Sequence, residues 1–443
     1  MNRIILIGNG FDLAHDIKTK YKDFIDDYWA KKVNEIVVQY SNHKIHSPYE
    51  RYTGYEDEDI IIALHNPNSN YIILSDLTVV PKAIQSFFQT KNIKINMSYK
   101  NNFLKRIMIA CENKNWVDIE AEYFIMLKDC ITNGNDNEID KLNLDFKTIK
   151  EALTEYLREE AAKKDVRKNE KIEEKIYSEF KLQDFTEMGR DKIIEEEYQK
   201  LLELKTSINK QTNRDLTYKT WLLQDVFKHA SNEFNLPAVK SKFKELILNK
   251  ENASKFFHLL PKQILFLNFN YIETENRYKD HRLLVTGDNS PKIEIDIKKE
   301  VIHIHGNLND DFNPIIFGYG DEIGKEYKEL ENLNDNRYLE NIKSIKYLET
   351  DNYKRLLNFI DAEKYQIFIM GHSCGLSDRT LLNKLFEHSN CVSIKIFYYQ
   401  TAETNDNYSD VVRNISRNFH NKTKMREKVV NKQYSEPLLV YVD

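Results

Sequence analysis

Residues 3–15 read RIILIGNGFDLAH, an apolar run that breaks into a glycine-flanked turn. The run predicts a buried strand over Ile4–Ile7, and the turn leads from that strand into a helix. This order is a common place to hold a nucleotide, because backbone N–H groups can approach phosphate oxygens and a helix N-terminus adds partial positive charge. The residues of this predicted nucleotide-binding turn are Gly8, Asn9, Gly10 and Phe11.

The turn is an incomplete dinucleotide fingerprint. Leu13 stands where the third glycine of a GxGxxG pattern belongs, so a tight turn without a ligand is the alternative. The carboxylate of Asp12 would repel phosphate, and we expect it to cap the helix or to bind a ribose hydroxyl. His15 lies one helical turn further along and is expected to face the same cleft.

Charge and cysteine content exclude several classes of protein. The 443 residues carry a net charge of −5, which gives no general affinity for polyanions, so nucleic acid is not an expected partner. The four cysteines are too scattered for a disulfide framework or a CxxC zinc site. We find no signal-peptide pattern, and no apolar run reaches the length of about 20 residues that a membrane helix needs. We therefore expect a cytoplasmic protein that does not bind membranes.

Short apolar runs near both ends of the chain predict strands. Several are continuously apolar, as in parallel strands that are covered on both faces. Residues 82–257 instead show helical periodicity and almost no convincing strand. We predict an α/β fold, a Rossmann-like parallel sheet with helices on both faces, formed by residues 1–81 and 258–443 and interrupted by a large helical insertion at 82–257. The predicted strands are Ile4–Ile7, Tyr71–Leu74, Gln263–Asn268, Val301–His305, Gln366–Met370, Val392–Tyr399 and Leu438–Val442.

Polar residues follow two of these strands. Asn270 and Tyr271 come directly after the strand Gln263–Asn268, and amides at the carboxyl end of a parallel strand tend to point into the ligand crevice. An Asx turn that holds the strand exit is the alternative. In the next strand, alternation places His303 and His305 on one face. We interpret His305 as a general acid or base, because imidazole titrates near neutral pH, and we predict no metal site because a third ligand with suitable spacing is lacking.

The segment GHSCGLSD, residues 371–378, joins a predicted strand to a helix. It matches the GxSxG nucleophile elbow, so a serine hydrolase that uses Ser373 with Asp406 or Asp410 and His420 is one interpretation. We prefer a second nucleotide-binding loop, because the hydrolase leaves the first glycine turn unexplained. The binding residues of this loop would be Gly371, His372, Ser373 and Asp378.

An acidic segment follows Trp116. Asp118 and Glu122 share a helix face at i,i+4 spacing, and Glu120 lies between them in sequence. An exposed acidic helix is the simplest interpretation, and a Mg²⁺-dependent nuclease built on the three carboxylates is an alternative.

The motifs GNGFD, NFNY, HIHG and GHSxGxSD, in this order, resemble those of the AbiH family of bacterial abortive-infection proteins over nearly the whole chain. The α/β parts are similar, at greater distance, to sirtuin-like NAD-cleaving domains of phage defence. That resemblance implies catalytic roles for Asn270 and His305, phosphate binding by Gly8 and Gly10, and a late nucleotide loop. The residues that match this late loop are Ser373 and Asp378.

The resemblance implies an anti-phage effector that hydrolyses NAD(P) at the nicotinamide–ribose bond, with no further cofactor. Its implied partners are an NAD-like nucleotide and a phage trigger or partner protein, and the helical insertion is large enough for a dimer interface. The chain departs from the sirtuin pattern at Ile272, where an aspartate is expected, and lacks the paired CxxC motifs of deacylating sirtuins. A non-enzymatic sensor of NAD or ADP-ribose is therefore a second interpretation.

Overall fold

The computed structural model of the chain describes residues 1–42, 52–65, 80–90, 94–113, 118–133, 136–163, 167–208, 237–248, 259–285, 293–402 and 405–440. Two features of the sequence lie outside these residues, namely the predicted strand Tyr71–Leu74 and Trp116.

Twelve strands lie in the described residues. They are β1 (Asn2–Ile7), β2 (Tyr52–Glu56), β3 (Ile60–His65), β4 (Lys94–Tyr99), β5 (Gln263–Asn268), β6 (Leu283–Val285), β7 (Ile293–Ile295), β8 (Lys298–His303), β9 (Tyr365–Met370), β10 (Cys391–Ala402), β11 (Asn405–Asp406) and β12 (Glu436–Val440).

A seven-stranded, mostly parallel sheet forms the centre of the fold. Its order is β11-β10-β9-β1-β5-β8, and β12 pairs with β10. The strand β1 lies in the middle of this sheet and runs parallel to both of its neighbours, β5 and β9. The carboxyl ends of these strands therefore meet at one edge, where ligands of parallel α/β folds bind.

Hydrophobic cores cover both faces of the central sheet. Ile4 of β1 packs on one face in a core shared with the helix Arg379–Glu387, whereas Ile5 packs on the other face in a core shared with the helix Glu170–Ile176. Both faces of β1 thus meet apolar side chains, which explains the apolar run Ile4–Ile7 of this strand. The predicted fold class, a Rossmann-like α/β sheet with helices on both faces, is confirmed.

The α-helices of the described residues are spread along the whole chain. None of these helices is long and apolar enough to cross a membrane. Their bounds are Asn9–Leu13, Tyr21–Asn42, Lys82–Thr90, Asn102–Asn113, Ile119–Asn133, Asp136–Lys163, Glu170–Ile176, Glu187–Ile208, Pro237–Leu248, Lys325–Asn332, Lys343–Lys346, Asn352–Ala362, Arg379–Glu387, Tyr408–Asn418 and Lys422–Lys428.

A second sheet lies beside the helices and has the order β2-β3-β4. Its strand β4 falls in the segment that the sequence predicts to be helical, and the prediction of almost no strand there is wrong at this point. The strand depends on antiparallel pairing with β3, from Ile60 opposite Tyr99 to His65 opposite Lys94. Because this pairing is tertiary, the local sequence carries little signal for it. The division into an α/β domain and a helical insertion stays a prediction.

Candidate functional site

A cavity of about 330 Å³ opens at the carboxyl edge of the central sheet. The turn after β1, the polar exit of β5, the segment after β8 and the loop after β9 all contribute to its lining. These four segments are the ones in which the sequence motifs predict binding or catalytic residues. The predicted site residues that line the cavity are Gly8, Asn9, Asp12, Asn270, Tyr271, His305, Gly371, His372, Ser373 and Asp378. Those that do not line it are Gly10, Phe11 and His15.

The glycines of the first turn allow two loops to touch. A Cβ atom on Gly10 would lie 2.8 Å from the Cα of Gly371, and a Cβ atom on Gly371 would lie 2.0 Å from the nitrogen of Phe11. The N–H groups of Gly8, Gly10 and Phe11 donate to backbone carbonyls of the chain itself. Loop packing thus uses the hydrogen bonds of these N–H groups, and phosphate binding by Gly8 and Gly10 stays a prediction.

His15 points away from the cavity. Its Nδ1 lies 2.7 Å from the carbonyl oxygen of Phe11, and its Nε2 lies 2.5 Å from the hydroxyl of Tyr278. The helix Asn9–Leu13 ends before His15, so helical periodicity does not carry this side chain to the cleft. The prediction that His15 faces the cleft is wrong, and so is a ligand contact by Phe11, which is buried in the core.

Asp12 is fully buried and lines the cavity. Within the described part of the chain, no donor meets both the distance and the angle of a hydrogen bond to its carboxylate oxygens, although the side chains of Thr274 and Asn270 interact with the carboxylate. It lies inside the first helix and makes no capping bond, so the predicted capping role is wrong. Burial raises the pKa of Asp12 to about 7, although Thr274 and Asn270 lie near enough to oppose the shift. Asp12 thus changes charge near neutral pH.

The exit of β5 forms an Asx turn and also reaches the cavity. Oδ1 of Asn268 accepts the N–H of Asn270 at 2.8 Å, and Nδ2 of Asn268 donates to Glu275 at 2.6 Å. This turn holds the strand exit while Asn270 and Tyr271 line the cavity. Nδ2 of Asn270 is buried, and no acceptor among the described residues meets both the distance and the angle of a hydrogen bond to it.

The two histidines of the HIHG motif have different partners. The strand β8 ends at His303, so strand alternation does not extend to His305. Nε2 of His303 lies 2.9 Å from Glu275, whereas Nε2 of His305 lies 3.1 Å from the hydroxyl of Tyr347 and 3.3 Å from Oδ1 of Asp378. Of these two histidines, His305 is the one that lines the cavity.

A buried lysine joins two carboxylates of the lining. Nζ of Lys343 donates to Glu120 at 2.7 Å and to Asp378 at 2.8 Å. Burial raises the pKa of Glu120 to about 8, and the attraction of Lys343 opposes this shift. For Asp378, burial alone would raise the pKa, but Lys343 and His305 outweigh it and lower the pKa. Asp378 is therefore ionised at neutral pH, while Glu120 can retain a proton.

The same lysine affects His305. Burial and the charge of Lys343 lower the pKa of His305 to about 3, so its imidazole is neutral at physiological pH. Sequence reasoning missed Lys343 because no motif surrounds it and its carboxylate partners lie 223 and 35 residues away in sequence.

The serine-hydrolase arrangement is not formed. His420 is exposed and contacts Glu387, and both Asp406 and Asp410 form ion pairs with a neighbouring lysine or arginine. None of these three residues lines the cavity beside Ser373. The GxSxG match therefore has no histidine and acid to serve it at the predicted positions.

The acidic residues of the segment after Trp116 lie in two different environments. Asp118 and Glu120 line the cavity, whereas Glu122 forms an ion pair with Arg106 at 2.8 Å. The interpretation as an exposed helix is wrong, because Glu120 and Glu122 are buried. The three carboxylates do not form one centre, and the described residues contain no group of three or more His, Cys, Asp or Glu side chains that could hold a metal ion.

Comparison with protein families gives a match to the family described as Bacteriophage abortive infection AbiH. The match covers residues 4–188 and 145–400 and thus most of the chain. The comparisons with curated proteins and with solved structures gave no match. The protein belongs to the AbiH family of bacteriophage abortive infection.

Proposed function

We propose that the protein binds NAD(P) in this cavity and hydrolyses the bond between nicotinamide and ribose, as an effector of abortive infection. The observation that carries the proposal is the convergence of Asn270, His305 and Ser373 on one cavity, although each follows a different strand. These are residues that the sirtuin-like resemblance names. A cavity of about 330 Å³ lies within the usual range for small-molecule sites.

The reaction adds water to C1′ of the ribose and breaks the bond from C1′ to the pyridinium nitrogen. The electron pair of that bond stays on the nitrogen, so nicotinamide leaves as a neutral base and needs no proton. The attacking water bonds to C1′ through its oxygen and releases one proton. The products are ADP-ribose (or its phosphorylated form), nicotinamide and a proton.

Two side chains would assist the attacking water. Asn270 would position the water or a ribose hydroxyl, and His305 would accept the proton. His305 is neutral and can therefore act as a base, and the carboxylate of Asp378, 3.3 Å away, would stabilise the imidazolium that forms.

The charge of the cavity suits this transition state. Cleavage of a glycosidic bond passes through a state with oxocarbenium character, which nearby carboxylates stabilise. Asp378, which Lys343 and His305 keep ionised, is the carboxylate of the lining that would serve this state, and the exposed Arg417 is suited to the diphosphate. The carboxylates of the lining are Asp12, Asp118, Glu120 and Asp378.

The test measures nicotinamide and ADP-ribose after purified protein is incubated with NAD, and measures NAD in phage-infected cells that express the protein. We expect Asn270→Ala and His305→Ala to abolish product in both settings. The matched controls, Asn309→Ala and His420→Ala, change the same residue types outside the cavity lining and should retain activity. Cleavage that survives both cavity substitutions would refute the assignment.

A non-enzymatic nucleotide sensor is the second candidate. It is favoured by the low pKa of His305, which makes the imidazole a weak base, and by Ile272, which lines the cavity where the sirtuin pattern has an aspartate. Saturable binding of NAD or ADP-ribose, without turnover in infected cells, would support the sensor over the enzyme.

A further inference from the structure

Lys343 is a buried cation of the cavity wall, and no step of the proposed reaction passes through it. Its side chain is 1% exposed, and Nζ donates to Glu120 at 2.7 Å and to Asp378 at 2.8 Å. Replacing a whole buried ion pair by apolar side chains of similar volume is often neutral for stability, so stability alone does not explain this cluster. Buried charges that line a cavity point instead to a role in its chemistry.

The backbone fixes where the ammonium lies. Lys343 begins a short helix, and Tyr347 ends it one turn later. The N–H of Lys343 donates to the carbonyl of Tyr319 at 2.9 Å, and its own carbonyl accepts the N–H of Tyr347 at 2.9 Å. Residues four apart on a helix project to the same side. The helix therefore delivers the ammonium of Lys343 to Asp378, and it delivers the hydroxyl of Tyr347 to Nε2 of His305 at 3.1 Å.

One oxygen atom links this helix to the proposed base. Oδ1 of Asp378 accepts Nζ of Lys343 and also lies 3.3 Å from Nε2 of His305. The other oxygen, Oδ2 of Asp378, lies 3.5 Å from His372. A positive charge on the imidazole of His305 would therefore meet the charge of Lys343 across a single oxygen atom. Lys343 thus holds Asp378 beside the imidazole and, at the same time, disfavours a charged imidazole before the reaction begins.

Titratable groups from several elements surround the pair of Asp378 and His305. Burial raises the pKa of the tyrosines and of the two further carboxyls in this group, which favours their uncharged forms. Burial and the charge of Lys343 lower the pKa of His305 to about 3, His372 acts in the same direction with a smaller effect, and Asp378 opposes them. The surrounding tyrosines and carboxyls are Tyr21, Tyr271, Tyr347, Asp118 and Glu120.

We propose that Lys343 is a positioning residue for the proposed reaction: its ammonium fixes Asp378 beside His305 and keeps the imidazole ready to accept the proton of the attacking water. This role deepens the proposed function and rests on it. When the oxygen of the water bonds to C1′, its proton moves to His305, and the imidazolium lies beside the carboxylate of Asp378. The charge of Lys343 then favours return of that proton to water, which restores the base for the next turnover.

The experiment follows the imidazole of His305 by ¹⁵N NMR in protein that is labelled at histidine, without substrate. The variant His305→Gln identifies the signal among those of the 12 histidines. We expect the wild-type imidazole to stay uncharged at pH 5 and above. Lys343→Gln should raise its titration midpoint by about 2 pH units, because a neighbouring positive charge is lost while glutamine still offers an N–H to Asp378. A lysine with a purely structural role would leave this midpoint unchanged.

Two matched controls isolate the charge of Lys343. Glu120→Gln removes its other carboxyl partner and leaves the ammonium beside Asp378. Lys346→Gln makes the same change as the test variant on the same helix, at a residue outside the cavity lining. Neither control should raise the midpoint of His305, and thermal unfolding checks that each variant is folded.

Three results would overturn the inference. The first is an unchanged midpoint of His305 in folded Lys343→Gln. The second is an equal rise in Glu120→Gln, because the imidazole would then respond to any disturbance of the cluster. The third is a wild-type imidazole that is charged at pH 6, and this result needs no variant, so it stands even if Lys343→Gln does not fold.

Turnover separates this role from the proposed function. The kcat of Lys343→Gln for NAD should fall about twofold between pH 8 and pH 5 as His305 becomes charged, whereas the wild-type kcat should stay level. The expected shift of the midpoint, without any cleavage of NAD in vitro or in infected cells, refutes the hydrolase, while the control of His305 by Lys343 stands. Cleavage of NAD by both proteins with the same pH profile and the same midpoint keeps the hydrolase and overturns the inference.

Discussion

Replacing Asp12 by asparagine is expected to stabilise the protein, and to do so more strongly at higher pH. Asp12 is fully buried, and no donor among the described residues meets both the distance and the angle of a hydrogen bond to its carboxylate. Burial raises its pKa to about 7 in the folded protein, whereas an aspartate in an unfolded chain has a pKa of about 3.9. Ionisation of Asp12 therefore favours the unfolded chain.

The size of the effect follows from this difference in pKa. Below about pH 4 the carboxyl is protonated in both states, and no penalty exists. Between about pH 4 and 7 it ionises first in the unfolded chain, so the free energy of unfolding falls as the pH rises. The penalty is about 1.5 kcal/mol at pH 5 and about 4 kcal/mol at pH 8, at about 1.4 kcal/mol per pKa unit. Asparagine does not ionise, so its stabilisation should grow by about 2.5 kcal/mol between these pH values.

Thermal and denaturant unfolding of the wild-type protein and Asp12→Asn at pH 5 and pH 8 measure this growth. At about 1 °C per kcal/mol for a cooperative unit of this length, the difference in Tm between the two proteins should increase by about 2–3 °C. Glu275 and His303, which influence the charge of Asp12, are present in both proteins. Asp16→Asn controls for the loss of one exposed carboxylate.

The test depends on how the stability difference between the two proteins changes with pH. Any hydrogen bonds that the asparagine amide forms contribute equally at pH 5 and pH 8, so they do not affect this change. If Asp12→Asn and the wild-type protein lose stability in parallel between pH 5 and pH 8, then Asp12 has an ordinary pKa. The account of a buried carboxylate with a raised pKa would then be refuted.

Three further substitutions test other features of the site. Gly371→Ala should lower the free energy of unfolding by more than about 2 kcal/mol, because φ at this position is 81° and a Cβ would lie 2.0 Å from the nitrogen of Phe11; an unchanged denaturation midpoint would contradict the loop contact. Lys343→Met should destabilise by about 3–5 kcal/mol in urea unfolding, because the ionised and buried Asp378 loses its cation; a neutral effect would show that Asp378 does not depend on the charge of Lys343. His15→Ala should lower Tm through loss of its two hydrogen-bond contacts, worth about 1–3 kcal/mol, yet leave nicotinamide affinity unchanged, and a weaker affinity would place His15 in the cavity after all.

The central sheet could be predicted because its signal is local. Strands β1 and β9 carry the apolar runs Ile4–Ile7 and Ile367–Met370, and such a run requires cover on both faces. The convergence of four strand ends also follows from the sequence, since parallel strands expose their carboxyl ends at one edge. The strand β4 could not be predicted in this way, because its pairing with β3 is what holds it in place.

The partners of the site residues were harder to predict than their positions. The sequence predicts that Gly10 and Gly371 bind a ligand. In the structure, the other loop occupies the space that a side chain at either position would need. Lys343 had no motif, because an ion pair across 223 residues leaves no pattern in the local sequence. The position of Asp12 next to the turn allowed it to be predicted as a site residue. Its hydrogen-bonding state depends on residues that are distant in sequence, so it could be learned only from the structure.

The place of β1 in the sheet has a consequence for how the protein is made. This strand is synthesised before both of its neighbours, which begin at Gln263 and Tyr365. A ribosome must therefore add more than 350 residues after β1 before this strand can be paired on both sides. The loop after β9, which closes the cavity, emerges at the same late stage. Chains that end before this loop therefore cannot form the cavity.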